Sequence, residues 1–162
     1  MKHYLFIFLI SMVPIVELRG AIPYAIGFIE AGEPLELWLC YVIAVLGNML
    51  PVPFIFFFAR KILEWGAKRE NKLVHGFCNF CLEKGHKGGA KLQEKTGRGV
   101  YFALFLFVGI PLPGTGAWTG TLAASILDMD FKKAVVSVMG GVVLAGIIMG
   151  ILSAGIFGAI FA

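Results

Sequence analysis

Charge is scarce in this sequence. Asp, Glu, Lys and Arg make up 15% of its 162 residues, against about 25% in a soluble domain. Apolar residues reach 59% and the mean hydropathy is +0.86. A chain this short has too little interior to hide that much apolar surface from water, which excludes an ordinary soluble globule. Cysteine is scarce as well, and three residues do not make a disulfide framework. No small-residue cleavage site follows the apolar N-terminal run, so that run is read as part of the mature protein rather than as a signal peptide. There is no phosphate loop, dinucleotide fingerprint, His-Glu-x-x-His or nucleophile elbow. Neither an enzyme nor a bound cofactor is expected.

What is present is a chain of apolar blocks around one basic stretch. The formal net charge is +4, but residues 60–98 alone carry +6 and the remainder carries −2. A single basic segment between apolar blocks is the mark of a cytoplasmic loop under the positive-inside rule, not of a nucleic-acid-binding surface. The blocks span residues 4–29, 37–58, 100–127 and 134–162, with the basic loop at 59–99. An all-α, multi-pass membrane protein is expected, as a single membrane domain.

Two of the blocks are broken. Block one is interrupted by Glu17-Leu-Arg-Gly-Ala-Ile-Pro23, and block three by Pro111-Leu-Pro-Gly-Thr-Gly116. The pieces on either side are too short to cross about 30 Å of hydrocarbon as helices. Irregular backbone at membrane depth is tolerated only where protein buries it or water reaches it. Each broken block therefore reads as a re-entrant hairpin, and each intact block as a transmembrane helix. Hairpin plus span, twice and in opposite orientations, is an inverted repeat, a plan many transporters share. A short echo, Arg19-Gly-Ala-Ile22 against Thr115-Gly-Ala-Trp118, runs in the same sense. The rival is four full crossings. It places Lys2 inside, but strands Lys132 and Lys133 outside, so the charge rule favours the hairpins.

The candidate site residues follow from the breaks. Glu17 and Arg19 lie deep in block one, where a charge normally faces a cavity or a partner. Positions two apart on a helix do not face each other. The pair meets only if Gly20 and Pro23 make the chain irregular, or else each has another partner. A substrate- or proton-handling pair and a plain structural ion pair are both consistent with this. Pro111, Pro113, Gly114, Thr115 and Gly116 precede a helix start at Ala117. Free backbone N–H groups and the helix dipole there favour an anion, and Thr115, Trp118 and Thr119 add side-chain donors. The plain alternative is a tight turn. Asn48 lies mid-span before Pro51 and Pro53, which are expected to kink or unwind that helix. It either satisfies the freed backbone or lines a route through the membrane.

Two further patterns complete the reading. Gly146, Gly150, Ala154 and Gly158, with Ser137, Gly141 and Ala145, form small-residue rows for close helix packing or a homodimer contact. His75, Cys78, Cys81 and His86 have zinc-ligand chemistry, but the second half of such a site is missing, and Phe77 and Phe80 make the stretch read as an amphipathic helix. Metal binding is not expected.

The motifs Glu17-Leu-Arg-Gly-Ala-Ile-Pro23, Leu46-Gly-Asn48 with Pro51-Val-Pro53, and Ile110-Pro-Leu-Pro-Gly-Thr-Gly-Ala-Trp-Thr-Gly120 resemble the prokaryotic small multidrug export proteins over nearly the whole chain. The layout is also similar, more distantly, to the DedA or VTT superfamily. That resemblance implies two oppositely oriented re-entrant hairpins, movement of lipid-like molecules, and a functional acidic residue and Arg in the membrane, here Glu17 and Arg19. The second tip carries no charge, a departure from that pattern. The expected function is a transporter or flippase for a small amphipathic or anionic, lipid-like substrate, with membrane lipids as partners and Glu17 as the carrier of any coupling proton. A non-transporting assembly factor and, behind it, a lipid-phosphate enzyme are the alternatives.

Overall fold

The structure is a computed structural model that describes residues 2–68, 75–76, 78–80, 83, 99–112 and 114–161. Among the described residues it is entirely helical and contains no strand. Seven helices have described boundaries. They are α1 (Lys2–Met12), α2 (Glu17–Glu30), α3 (Leu37–Met49), α4 (Pro51–Gly66), α5 (Gly99–Gly109), α6 (Ala117–Ile126) and α7 (Phe131–Phe161). Leu50 keeps helical dihedrals, φ −61° and ψ −41°, between α3 and α4. The pair thus forms one 30-residue apolar rod, Leu37–Gly66, jointed at Pro51. Among the described residues, this rod and α7 are the two helices long and apolar enough to cross a membrane.

The first break lies elsewhere than the sequence leads one to expect. The chain leaves the helix at residues 13–16, around Pro14, and re-enters it at Glu17. Gly20 and Pro23 are both inside α2. Pro23 removes the N–H that would reach the carbonyl of Arg19. The helix survives because Leu18, Ala21, Ile22, Ala25 and Ile26 bury the opposite stripe. Helix also continues past the expected end of the second block, to Gly66. Arg60 and Glu64 there form an i, i+4 ion pair, Nε to Oε1 3.0 Å.

The short helices fold back on themselves. At the mouth of the first pair, His3 Nδ1 lies 3.2 Å from Tyr24 Oη. Its ring packs on Phe28 with centroids 4.5 Å apart. Glu36 N–H donates to Tyr4 Oη at 3.0 Å, tying the start of α1 to the start of α3. The second pair has the same tether, because Asp130 N–H donates to Tyr101 Oη at 3.3 Å, joining α5 to α7. The two long rods run antiparallel: Tyr41 Oη donates to the Gly146 carbonyl at 3.1 Å, while Phe57 meets Phe131 at the other end, centroids 4.7 Å apart. The α1–α2 hairpin therefore opens beside the start of one rod and the α5–α6 hairpin beside the start of the other, at opposite ends of the bundle.

Further correspondences run element by element, each helix pair keeping its own register. A Cβ at Gly47 of α3 would fall on the Phe8 carbonyl and Ser11 of α1. One at Gly141 of α7 would fall 2.7 Å from the Phe105 carbonyl and 2.7 Å from Val108 Cβ of α5. Helix α2 ends with Ala31 N–H to Gly27 O and Glu33 N–H to Phe28 O, and α6 ends with Leu127 N–H to Ala123 O and Met129 N–H to Ala124 O. The left-handed residue that closes each helix is Gly32 at φ 90° in one and Asp128 at φ 55° in the other. The register that carries Ala31 onto Leu127 also carries Arg19 onto Thr115, so the short sequence echo falls in step with the fold.

Small residues line the interior. Ala21, Ala25, Ala44, Ala117, Ala124 and Ala134 are buried with Ile7, Ile22, Val108, Val138 and Val142. Close approach of backbones replaces the large side chains of a soluble core. The large apolar side chains point outward instead, among them Phe6, Phe54, Phe58, Phe102, Val136 and Ile151. A surface of that kind needs an apolar surrounding, and the protein is a membrane protein.

Candidate functional site

The hairpin tips meet at the centre of the bundle. Helix α6 begins there with N–H groups that no preceding turn can satisfy. Glu17 fills the gap. Its Oε2 accepts from Ala117 N–H at 3.1 Å and its Oε1 from Trp118 N–H at 3.0 Å. A carboxylate at a helix N-terminus gains from both the free donors and the dipole. Glu17 is 4% exposed, so these bonds, rather than water, compensate its burial.

Gly116 makes room for that carboxylate. Its backbone sits at φ 144°, and a Cβ would coincide with the Glu17 carboxyl group. Only glycine satisfies both conditions. Glu17 itself is held at φ 50°, and Ile15 just before it at φ 77°. For Ile15, a β-branched residue, this region is a true outlier, and each such residue costs on the order of 1–3 kcal/mol. The strain is located at the tip whose carboxylate is aimed across the interface.

Arg19 serves the other end of the break. Its Nη1 donates to the Leu112 carbonyl at 2.5 Å, and its Nη2 lies 3.4 Å from Val108 O and 3.3 Å from Ile110 O. Nη2 also donates to Thr115 Oγ1 at 2.7 Å. The Thr115 hydroxyl lies 2.9 Å from both Ile110 O and Leu112 O. A guanidinium, planar with five donors, suits carbonyls splayed out where α5 unwinds, and a cation suits a helix C-terminus. Glu17 and Arg19 thus do not pair with each other. Each caps one side of the break in the second hairpin, the acid at the start of α6 and the base at the end of α5. Trp118 returns the contact, its Nε1 donating to Met12 O at 3.1 Å where α1 ends.

The remaining candidate residues fall in several places. Pro111 is half-buried at the second break and Gly114 is exposed in its turn, at φ 82°. Pro113 lies outside the described residues. Thr119 is exposed, with its hydroxyl 3.4 Å from Gly116 O. Pro23 stands apart, on a surface groove of about 340 Å³ with Tyr24 and Phe28. Asn48 is 2% exposed, and its Oδ1 has no protein hydrogen-bond partner. Thr121, which sequence reading passed over, is 1% exposed and its Oγ1 is likewise unpartnered. Nothing local marks Thr121, since a threonine in a helix is ordinary and only burial makes it notable. Arg60 and Asp128, which join α4 to the end of α6 by an ion pair, were also not singled out.

The small-residue rows pack within the chain at Gly141, Gly146 and Gly150, while Ala154 is exposed. Gly146 faces Leu18 and Tyr41, and Gly150 faces the Tyr41 hydroxyl; the surroundings of Gly158 lie outside the described residues. Of the Cys/His cluster, His75 is exposed with Nε2 3.0 Å from Asn79 Nδ2, and Cys78 is buried. Cys81, His86 and Phe77 lie outside the described residues.

No curated protein and no solved structure matches this chain. A family described as "Putative small multi-drug export protein" matches over residues 17–148. That stretch starts at the carboxylate that caps α6 and takes in Arg19, the α3–α4 joint, the second break and most of α7. The chain belongs to the small multi-drug export protein family.

Proposed function

We propose that this protein is a transporter of a small amphipathic or anionic, lipid-like substrate, built as an inverted repeat whose two hairpins re-enter the membrane from opposite faces. The 11-residue helices α1 and α5 reach about 16 Å at 1.5 Å per residue, half of the hydrocarbon thickness. The antiparallel rods, the opposite hairpin mouths and the element-by-element correspondences support this layout. The basic loop at 59–99 then lies in the cytoplasm, in the plasma membrane.

The observation that carries the reading is the Glu17 carboxylate on the N–H groups of Ala117 and Trp118. An anion site at a helix N-terminus is here occupied by the chain's own anion. Protonation of Glu17 removes its charge and weakens both bonds. The donors are then free for the anionic group of a substrate, and loss of the proton expels it. This exchange couples a proton to an anion without either crossing an open pore. Thr115 and Arg19 keep the unwound carbonyls covered throughout, and Trp118 presents an amphipathic ring to the substrate.

Reconstitution into liposomes tests the reading, with lipid-scrambling and proton-flux readouts on wild type, Glu17→Gln and Arg19→Ala. Wild type is expected to show flux and Glu17→Gln to lose proton coupling at least tenfold while remaining folded. Absence of any wild-type flux towards amphipathic probes or lipids overturns it. Single cysteines at 128–133 report topology, and labelling from the side opposite the basic loop restores four full crossings.

A second reading has its own support. Every described bond of Glu17 and Arg19 closes on this chain's own backbone or on Thr115. In a non-transporting assembly factor the pair would be a static clasp between hairpins. Neutral replacements then alter stability and no flux.

A further inference from the structure

Among the described residues two buried side-chain atoms, Asn48 Oδ1 and Thr121 Oγ1, have no protein partner, and the fold puts them in one column. Helices α4 and α6 lie side by side and run in the same direction. Ser125 Oγ donates to the Phe56 carbonyl at 2.6 Å, and further along Asp128 pairs with Arg60. One turn back along both helices brings Thr121 level with Val52. One more brings Ala117 level with Asn48. Ala117 is the residue whose N–H holds Glu17. Glu17, Asn48, Thr121 and Ser125 thus form a descending polar series, at 4%, 2%, 1% and 3% exposure. It ends at a cavity of about 300 Å³ lined by Arg60, Glu64, Ser125 and Asp128, on the side of the basic loop.

The joint in the rod adds acceptors. Pro51 and Pro53 have no N–H to return to the carbonyls of Gly47 and Met49, the neighbours of Asn48. With Asn48 Oδ1 and Thr121 Oγ1 unpartnered, this is a buried place rich in acceptors. Leaving such groups unsatisfied is costly, and an ordered water with two to four polar partners is the usual remedy.

The other half of the molecule is the control. In the register of α2 on α6 Ala25 stands where Thr121 does and Ile29 where Ser125 does, and in the register of the two rods, set by Gly47 and Gly141, Val142 stands where Asn48 does. Ala25 is 0% and Val142 1% exposed, and neither has a polar side-chain atom. The matching cavity at the opposite mouth, about 350 Å³ beside Glu30, Tyr41 and Gly150, is otherwise lined by apolar side chains such as Ile26, Leu37 and Ile147, and its Tyr41 hydroxyl is already committed to the Gly146 carbonyl. Among the described residues the unpartnered buried side-chain oxygens lie on the Arg60–Asp128 side alone.

We infer that Asn48 and Thr121 bound a buried hydration site, the middle of a water path that connects the Glu17 carboxylate to the Arg60–Asp128 mouth and not to the Glu30–Tyr41 mouth. The path rests on the reading of Glu17 as a proton carrier. A proton exchanges along it between water on the basic-loop side and a Glu17 oxygen, neutralising the carboxylate, and its release to the opposite face requires the alternate arrangement of the hairpins that transport implies. Arg19 is the charged group nearest to Glu17 on α2, and its nitrogens are turned to the α5–α6 break. The titratable groups that α3 contributes, Cys40 and Tyr41, lie towards the opposite mouth. Those of α1, α5 and α7 (Lys2, His3, Tyr4, Tyr101, Lys132 and Lys133) sit at the hairpin mouths.

The test needs no substrate. Full-length protein with Cys40, Cys78 and Cys81 replaced by Ala carries one new cysteine, Thr121→Cys, Asn48→Cys or Ala25→Cys. Each variant is placed in vesicles of known orientation and exposed to Ag⁺ from one side. Residual thiol is then counted with a fluorescent maleimide in detergent. Silver applied from the basic-loop side is expected to lower residual thiol at 121 and 48 at least fivefold. From the opposite side the change stays below twofold, and at 25 it stays below twofold from either side. Thr121→Cys loses only a methyl and keeps a γ-atom of similar reach, so it remains informative if Asn48→Cys does not fold. Protection of 121 from both sides, reaction from the opposite side, or equal reaction at 25 overturns the path. The carrier reading is separated by Glu17→Gln. Lost proton flux with an unreactive Thr121→Cys removes the path alone. A reactive Thr121→Cys with flux indifferent to Glu17→Gln keeps the path and removes the carrier.

Discussion

At the first hairpin tip the break is short and the helix restarts early, so a full turn of α2 carries Glu17 and Arg19 into the centre of the bundle. At the second tip the chain stays unwound through Gly116, and the corresponding turn is missing. One tip therefore supplies side-chain charge and the other supplies bare backbone. The difference explains why neither needs a partner of its own. A carboxylate at the centre of a membrane protein requires donors, an unwound helix start requires an acceptor, and each tip is the other's solution. In the register of α2 on α6 Arg19 corresponds to Thr115, and these two equivalent residues touch, at 2.7 Å.

The largest expected effect tests the seat of the carboxylate. Gly116→Ala places a Cβ on the Glu17 carboxyl group and holds an L-residue at positive φ. A loss of about 4 kcal/mol is expected from strain and overpacking together, read by denaturation in detergent micelles. A change under about 1 kcal/mol would mean that the two tips are not in register. Next is the charge itself. Glu17→Ala leaves two N–H groups buried without acceptors, about 3 kcal/mol, whereas Glu17→Gln keeps an acceptor oxygen and costs about 1 kcal/mol. Equal losses for the two would show that charge rather than hydrogen bonding holds α6. On the base side, Arg19→Lys cannot span Leu112 O, Ile110 O and Thr115 Oγ1 at once and is expected to cost about 1.5 kcal/mol. Full stability in Arg19→Lys would make Arg19 a point charge and nothing more. The smallest effect is expected away from the tips. Asp128→Asn breaks an exposed ion pair worth about 0.5 kcal/mol, while Asn suits the left-handed backbone at φ 55°, so the net change stays within about 0.5 kcal/mol in the same assay.

Much of the fold was legible because its signals are local. Apolar blocks of the right length, two of them broken, follow from composition and from the chemistry of Pro and Gly. The second break was readable to within a residue at its start and at Ala117 where the helix resumes, since Pro-Leu-Pro-Gly-Thr-Gly admits no helix. The first was misplaced because Pro23 and Gly20 are also breakers by propensity, yet burial of Ala21, Ile22 and Ala25 outweighs them. The true break at residues 13–16 leaves Ile15 in a conformation its own type disfavours, and no propensity rule finds such a place.

The sequence by itself determined that the chain belongs in a membrane, that two segments are interrupted, and that Glu17 and Arg19 are rare buried charges in need of partners. Tertiary structure alone decided who those partners are. Glu17 meets an N–H 100 positions away and Arg19 a hydroxyl 96 positions away. Side-chain periodicity says which face of a helix a residue occupies, but not which distant backbone arrives there. The same holds for Asn48 and Thr121. Each is an unremarkable polar residue until packing buries it and leaves one oxygen without a partner.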